Sequence, residues 1–162
     1  MGGGGCFTFT AVVLTNETST GIEYGNDTIT VLDGDNVLLG GWGDDNIKTG
    51  DGGDIVLADS GEMVLSNGIL QRFNAASASI GDDTVNLGNG HNILAGGDGD
   101  DQLTTGSGDD WILGDSGEIL LGSGLLKSII TSNQGDGVDN ISSGAGNDIV
   151  FGGLGADLIN SG

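Results

Sequence analysis

The sequence predicts an all-β chain of short strands stacked in parallel, and three observations predict it: a glycine every nine residues, an aliphatic side chain at a fixed offset from each glycine, and an outer repeat of 56 residues. The glycines are Gly25, Gly34, Gly43 and Gly52, then Gly81, Gly90, Gly99 and Gly108, then Gly137, Gly146 and Gly155. Four residues after each stand Ile29, Leu38, Ile47, Val56, Val85, Leu94, Leu103, Ile112, Ile141, Val150 and Ile159. Such a unit is a short strand with one inward aliphatic and a glycine turn that visits φ > 0, and it cannot bury its own aliphatic. Stacking units in parallel gives a thin continuous core, so the pattern requires an array. A helix is excluded, because each interior glycine costs about 1 kcal/mol relative to alanine.

The outer repeat fixes the organisation. Gly25-Asn26-Asp27-Thr28-Ile29 returns as Gly81-Asp82-Asp83-Thr84-Val85 and Gly137-Val138-Asp139-Asn140-Ile141, and Asp59-Ser60-Gly61-Glu62 returns as Asp115-Ser116-Gly117-Glu118. Residues 25–60, 81–116 and 137–162 are three repeat blocks of one continuous solenoid, and 61–80 and 117–136 are insertions. The insertions read as β-hairpins turning at Ser66-Asn67-Gly68 and Gly122-Ser123-Gly124. Residues 1–24, with Phe7, Phe9, Ala11 and Val13 alternating, read as a strand left from a preceding insertion, and the array is expected to continue past 162.

Composition says what completes the fold. Three Lys and Arg against 24 Asp and Glu give a net charge of −21, which argues against a nucleic-acid partner and opposes any compact state. Glycine adds entropy cost, so the bare chain is expected to be disordered until a cation binds. Hard oxygen ligands, with one cysteine (Cys6) and one histidine (His91), select Ca²⁺ over zinc, copper or iron. No window approaches a membrane span. An acidic disordered tail would lack the periodic aliphatics.

Two residues after each repeat glycine stands an Asp or Asn, and Gly40-Gly41-Trp42-Gly43-Asp44-Asp45-Asn46-Ile47-Lys48 and Gly96-Gly97-Asp98-Gly99-Asp100-Asp101-Gln102-Leu103-Thr104 show the full nonapeptide. This resembles the Gly-Gly-x-Gly-x-Asp-x-U-x repeat of the RTX calcium-binding family, U being a large apolar residue. The resemblance implies a right-handed parallel β-roll with two nonapeptides per turn and several Ca²⁺ ions between glycine turns. It implies side-chain ligands in two ladders, Asp27, Asp45, Asp83, Asp101, Asp139 and Asp157 along one edge and Asn36, Asp54, Asn92, Asp110 and Asp148 along the other. Further ligands are the turn carbonyls of Gly25, Gly34, Gly43, Gly52, Gly81, Gly90, Gly99, Gly108, Gly137, Gly146 and Gly155. Asn36 and Asn92 replace a carboxylate with a neutral oxygen, so their sites are expected to be weaker or differently filled. Asp44 and Asp100 fall in the variable slot beside the ligand position and are expected to be surface charges.

The residues flanking each inward aliphatic distinguish two sheets. On one they are polar: Thr28 and Thr30, Asn46 and Lys48, Thr84 and Asn86, Gln102 and Thr104, Asn140 and Ser142. On the other they are apolar: Val37 and Leu39, Ile55 and Leu57, Ile93 and Ala95, Trp111 and Leu113, Ile149 and Phe151. Strand side chains alternate between faces, so the second sheet presents a large apolar outer surface that something covers. The candidates are the hairpins, with Met63, Leu65, Leu70, Leu121, Leu126 and Ile130 as apolar material, or a neighbouring copy of the chain.

No catalytic constellation stands out. His91 occupies a variable turn slot without a Ser or Cys partner, and Asp44-Asp45 and Asp100-Asp101 recur as repeat elements where a glycosidase needs one cleft. The reading is a calcium-dependent structural or adhesive module of a secreted or cell-surface protein, a segment of a longer fibre, and not an enzyme. The rivals are the calcium-gated C-terminal block of a secreted toxin or hydrolase, and an ice-binding module, for which the polar ladder is too uneven.

Overall fold

The computed structural model describes residues 11–14, 25–76, 81–132, 134 and 137–162; expectations placed on other residues, among them Cys6, Phe7, Phe9 and the ends of both insertions, lie outside them. All regular elements in the described residues are strands, numbered here along the chain. One six-stranded sheet contains β1 (Ala11–Leu14), β3 (Asn36–Leu39), β5 (Ile55–Leu57), β9 (Ile93–Ala95), β11 (Trp111–Leu113) and β15 (Ile149–Phe151), in that order. The other contains β2 (Thr28–Thr30), β4 (Asn46–Lys48), β8 (Thr84–Asn86), β10 (Gln102–Thr104), β14 (Asn140–Gly144) and β16 (Leu158–Ser161). From β2 to β5 and from β8 to β11 the chain alternates between the sheets, and all pairing within both is parallel. Thr28 lies beside Asn46, Asn46 beside Thr84, and Thr84 beside Gln102, so the hairpin insertion leaves the register untouched.

The two sheets share a core of the inward aliphatics Ile29, Leu38, Ile47, Val56, Val85, Leu94, Leu103, Ile112 and Ile141, each no more than 5% exposed. Each such side chain adds about 1.5–3 kcal/mol of burial. Val150 is half-buried and Ile159 is 45% exposed, because β16 has a neighbour, β14, on one side only. Glycine permits the stacking by close approach. At Gly108 (φ 145°) a Cβ would collide with the carbonyl of Gly90 one circuit earlier. Gly81 has no such φ, and a Cβ there would still collide with the carbonyl of Gly43. Contact as well as backbone conformation therefore requires the repeat glycine.

The insertions form a third, antiparallel sheet, in the order β13 (Leu125–Thr131), β12 (Gly117–Gly122), β7 (Ile69–Ala75), β6 (Gly61–Ser66). Each hairpin turns through two residues at positive φ, Asn67 (52°) with Gly68 (74°) and Ser123 (55°) with Gly124 (76°), the twist that suits tight hairpins. The bases close alike, Ala76 N–H donating to Ser60 O at 3.0 Å and Ser132 N–H to Ser116 O at 2.9 Å. The two hairpins pair with each other through β7 and β12, which the sequence does not announce. Arg72 clamps that seam, reaching Glu62 at 2.9 Å and Glu118 at 2.6 Å.

This sheet covers the apolar outer face. Val37, Ile55, Leu57, Ile93, Ala95 and Leu113 pack in one buried cluster with Leu70, Phe73, Ala75 and Ile119, while Leu39, Met63, Leu65, Trp111, Leu121, Leu126 and Ile129 lie half-buried against it. The cover is thus intramolecular over β3 to β11. Beyond it Ile149 is half-buried and Phe151 is 40% exposed. One assignment is corrected: Ile130 is 56% exposed, and Ile129 faces inward instead. The register shifts between Leu120 and Leu121, where Lys127 is an extra residue on β13, and likewise between Val64 and Leu65, where Gln71 is extra on β7. A bulge reverses the alternation, which is also why Phe73, fully buried, went unassigned. The strand expected near the start is β1, and it runs parallel beside β3.

Phe73→Ala is expected to cost about 3–5 kcal/mol in chemical denaturation at saturating metal ion. Gln102→Asp, on the exposed polar face, is expected to change stability by less than about 0.5 kcal/mol. Equal losses would mean that the third sheet does not pack as described.

Candidate metal sites along the turn edges

Where the chain passes between sheets, the motif acids line up. Along one edge each backbone N–H donates to the carboxylate one circuit on: Asp27 to Asp45 (2.8 Å), Asp45 to Asp83 (2.7 Å), Asp83 to Asp101 (2.8 Å), Asp101 to Asp139 (3.0 Å) and Asp139 to Asp157 (3.2 Å). Along the other, Asn36 donates to Asp54 (3.0 Å), Asp54 to Asn92 Oδ1 (3.0 Å), Asn92 to Asp110 (2.8 Å) and Asp110 to Asp148 (3.0 Å). The two ladders expected from position are therefore two continuous rows, with the repeat glycines stacked beside them.

One carboxylate oxygen of each ladder acid after Asp27 is used this way. The second, Oδ2 of Asp45, Asp54, Asp83, Asp101, Asp110 and Asp139, is buried without a hydrogen-bond partner. Six orphaned anionic oxygens are a strong physical demand for a cation, since such a group costs several kcal/mol to desolvate. Glycine leaves the space: a Cβ on Gly40, Gly96 or Gly114 would strike the Oδ2 of Asp45, Asp101 or Asp139 and also the carbonyl of Ala58, Gly114 or Gly152. Carboxylate and carbonyl oxygens thus face one another across a gap. Among the described residues no three His, Cys, Asp or Glu side chains gather as a metal site, so carbonyls must complete any coordination shell. That donor set is all hard oxygen and fits Ca²⁺.

The electrostatics agree. Burial, ahead of repulsion from neighbouring acids and against the backbone hydrogen bond, pushes Asp45 up to about 6, Asp139 to about 7, Asp83 to about 8 and Asp101 to about 9. Asp110 is raised for the same first cause. Asp109, fully exposed, is lowered by the backbone and side-chain N–H groups of Asn147.

Two acids escaped the motif. Asp59 and Asp115 are buried where the hairpins leave the repeat, Asp59 accepting the Asp98 N–H at 2.8 Å and Asp115 that of Leu154. Their charges raise Asp83, Asp101 and Asp139. The signal lay in the recurrence of Asp59-Ser60-Gly61-Glu62, where an acid takes the place of the second glycine of the doublet. The variable slot also needs correction. Asp44, Asp82 and Asp100 form an outer, exposed row of opposite polarity, accepting from Asp82 (3.1 Å), Asp100 (3.0 Å) and Val138 (2.8 Å). They cap the backbone of the next turn and are more than surface charge. His91 is exposed and meets the Trp111 ring edge-on, centroids 5.3 Å apart.

A family model described as the RTX calcium-binding nonapeptide repeat matches the chain in 4 copies, over residues 23–56, 77–94, 86–118 and 134–162. No curated protein and no solved structure matches. The matched segments cover more than half of the chain and include every rung of both ladders, and the chain belongs to the RTX calcium-binding nonapeptide repeat family.

Proposed function

We propose that this chain is a calcium-gated structural segment of a secreted or cell-surface protein, in which ions seated along the two turn edges complete the fold. The ligands are the carboxylates of both ladders with the turn carbonyls of the repeat glycines, and the crossovers take the right-handed form that parallel connections adopt. The observation that carries the reading is the row of buried carboxylate oxygens without hydrogen-bond partners. A net charge of −21 keeps such a chain open where calcium is scarce and lets it close at the 10⁻⁴–10⁻³ M affinities characteristic of extracellular modules. Stacking that tolerates a 20-residue insertion without loss of register, rungs 38 residues apart bonding like rungs 18 apart, suits a load-bearing or adhesive array better than a terminal toxin block. The role is structural and not enzymatic: the acids are distributed along two edges and do not converge on one cleft.

At about pH 8 with EGTA the chain is expected to give the far-ultraviolet circular dichroism of disorder, and β signal on adding Ca²⁺. Asp101→Ala should raise the calcium midpoint about tenfold or more, since it removes an ion ligand. Asp100→Ala should shift it far less, removing an exposed hydrogen bond worth about 1 kcal/mol. A chain fully folded in EGTA at about pH 8 would sink the proposal.

The raised carboxyl groups set the sign of the pH dependence. Their folded values of about 6 to 9 exceed the ordinary 3.8, so the ion-free fold holds protons that the unfolded chain has released. Its stability is fullest below about pH 4 and is lost as pH rises through about 6 to 9. In EGTA the chain should therefore show more β structure at about pH 5 than at about pH 8, whereas calcium binding, which needs carboxylates, should strengthen in the opposite direction. Circular dichroism titrations in both buffers check this; an ion-free signal independent of pH would contradict the buried ladders.

A further inference from the structure

The two ladders are not chemically equal. The first carries a carboxylate at every rung, whereas the second alternates Asn36, Asp54, Asn92, Asp110 before Asp148. Asn36 and Asn92 are as buried as the acids, at 1% and 0% exposure. Asn36 Nδ2 donates to the carbonyl of Gly34 at 2.6 Å, to that of Leu32 at 3.2 Å and to Asp54 Oδ1 at 2.9 Å. Asn92 Nδ2 donates to the carbonyl of Gly88 at 3.2 Å, and its Oδ1 accepts the Asp54 N–H at 3.0 Å. These partners fix which way each amide points: Nδ2 of Asn36 is ringed by acceptors, and Oδ1 of Asn92 is already occupied by a donor.

The contrast with the acid rungs of the same edge is direct. At Asp54 and Asp110 the second oxygen is buried without a hydrogen-bond partner. At Asn36 and Asn92 the same branch of the side chain is an NH₂ group already bonded to turn carbonyls. Donor hydrogens occupy those carbonyl oxygens, and they face an approaching Ca²⁺ with partial positive charge. We infer that Asn36 and Asn92 are internal substitutes for calcium, closing their own turns with amide hydrogens, so that ions on this edge seat at the Asp54, Asp110 and Asp148 rungs and skip the two Asn rungs. This rests on the ligand assignment proposed above. The consequence is an uneven ion distribution, with one edge ion-bound at every rung and the other partly closed before calcium arrives.

Asn92→Asp tests it, because Asn92 lies between the Asp54 and Asp110 rungs. Bound ions are counted by equilibrium dialysis with radioactive calcium and by native mass spectrometry of the full chain at saturating Ca²⁺. The expected result is one additional ion per chain in the variant, with a calcium midpoint for folding moved to higher concentration. Equal, non-zero counts in the two chains overturn this inference alone; no bound ion in the unmodified chain overturns the ligand assignment and this inference with it. A variant that stays unfolded at saturating Ca²⁺ also counts against it, since the vacated place should accept an ion. In the ¹⁵N-labelled, calcium-loaded unmodified protein, the Asn92 side-chain amide protons should exchange with solvent far more slowly than those of a free amide. Exchange at the free rate would equally overturn the assignment.

Discussion

The structure depends on the neutralisation of carboxylates held in rows inside the protein. Every ladder acid after Asp27 accepts a backbone N–H from the preceding circuit, so the same group that opposes folding by its charge also sets the stacking of the turns. Replacing it with an apolar residue would relieve the repulsion and lose the rung. Retaining it leaves an anionic oxygen away from water, which is unfavourable by several kcal/mol unless a proton or an ion is supplied. Calcium resolves this because it binds carboxylate and carbonyl oxygens together, in flexible geometry. Under the proposed function, folding and ion binding are one equilibrium.

The second structural element is hydrophobic and does not involve the ladders. The repeat core is one aliphatic deep, too thin to hide the outer residues of β3, β5, β9 and β11, and the hairpins supply the missing layer. Their pairing into one sheet lets two insertions 56 residues apart act as a single cover, with Phe73 between Met63 and Ile119 and with Arg72 drawing Glu62 and Glu118 together. The ion pair is partly exposed and contributes about 0–1 kcal/mol, so it orients the seam more than it stabilises it. Burial of Phe73, Leu57, Leu113 and Ile119 is the larger effect. The opposite sheet, flanked by Thr28, Asn46, Thr84, Gln102 and Asn140, is left to water.

Ion binding and repetition share one physical origin. A nonapeptide contributes one rung, one aliphatic and one glycine contact, none of which is satisfied without a neighbouring unit. Insertions are tolerated because the chain leaves after one rung, Asp54, and re-enters before the next, Asp83, without altering either ladder. Asp59 and Asp115 stand at these exits and add charge to the rungs beside them, so the places where the hairpins join are also places of concentrated negative potential.

How much of this was legible depended on the range over which each constraint acts. The sequence by itself determined the inner period, the inward aliphatics from Ile29 to Ile141, the hairpin turns at Asn67-Gly68 and Ser123-Gly124, and the apolar sheet that needed a cover, while the alignment of Asp45 with Asp83 and Asp101 followed from the family resemblance. Each is a periodic or local property, fixed by side-chain alternation, turn chemistry and the geometry of stacking. Tertiary structure alone decided that β7 and β12 pair, that Ile129 and Phe73 face inward where simple alternation places Ile130, that β1 runs parallel to β3, and that Asp44 and Asp100 cap neighbouring turns. A bulge changes which face a residue occupies without changing composition, and a seam between two insertions depends on how both leave the repeat. Neither property is periodic, so the repeat could not disclose them.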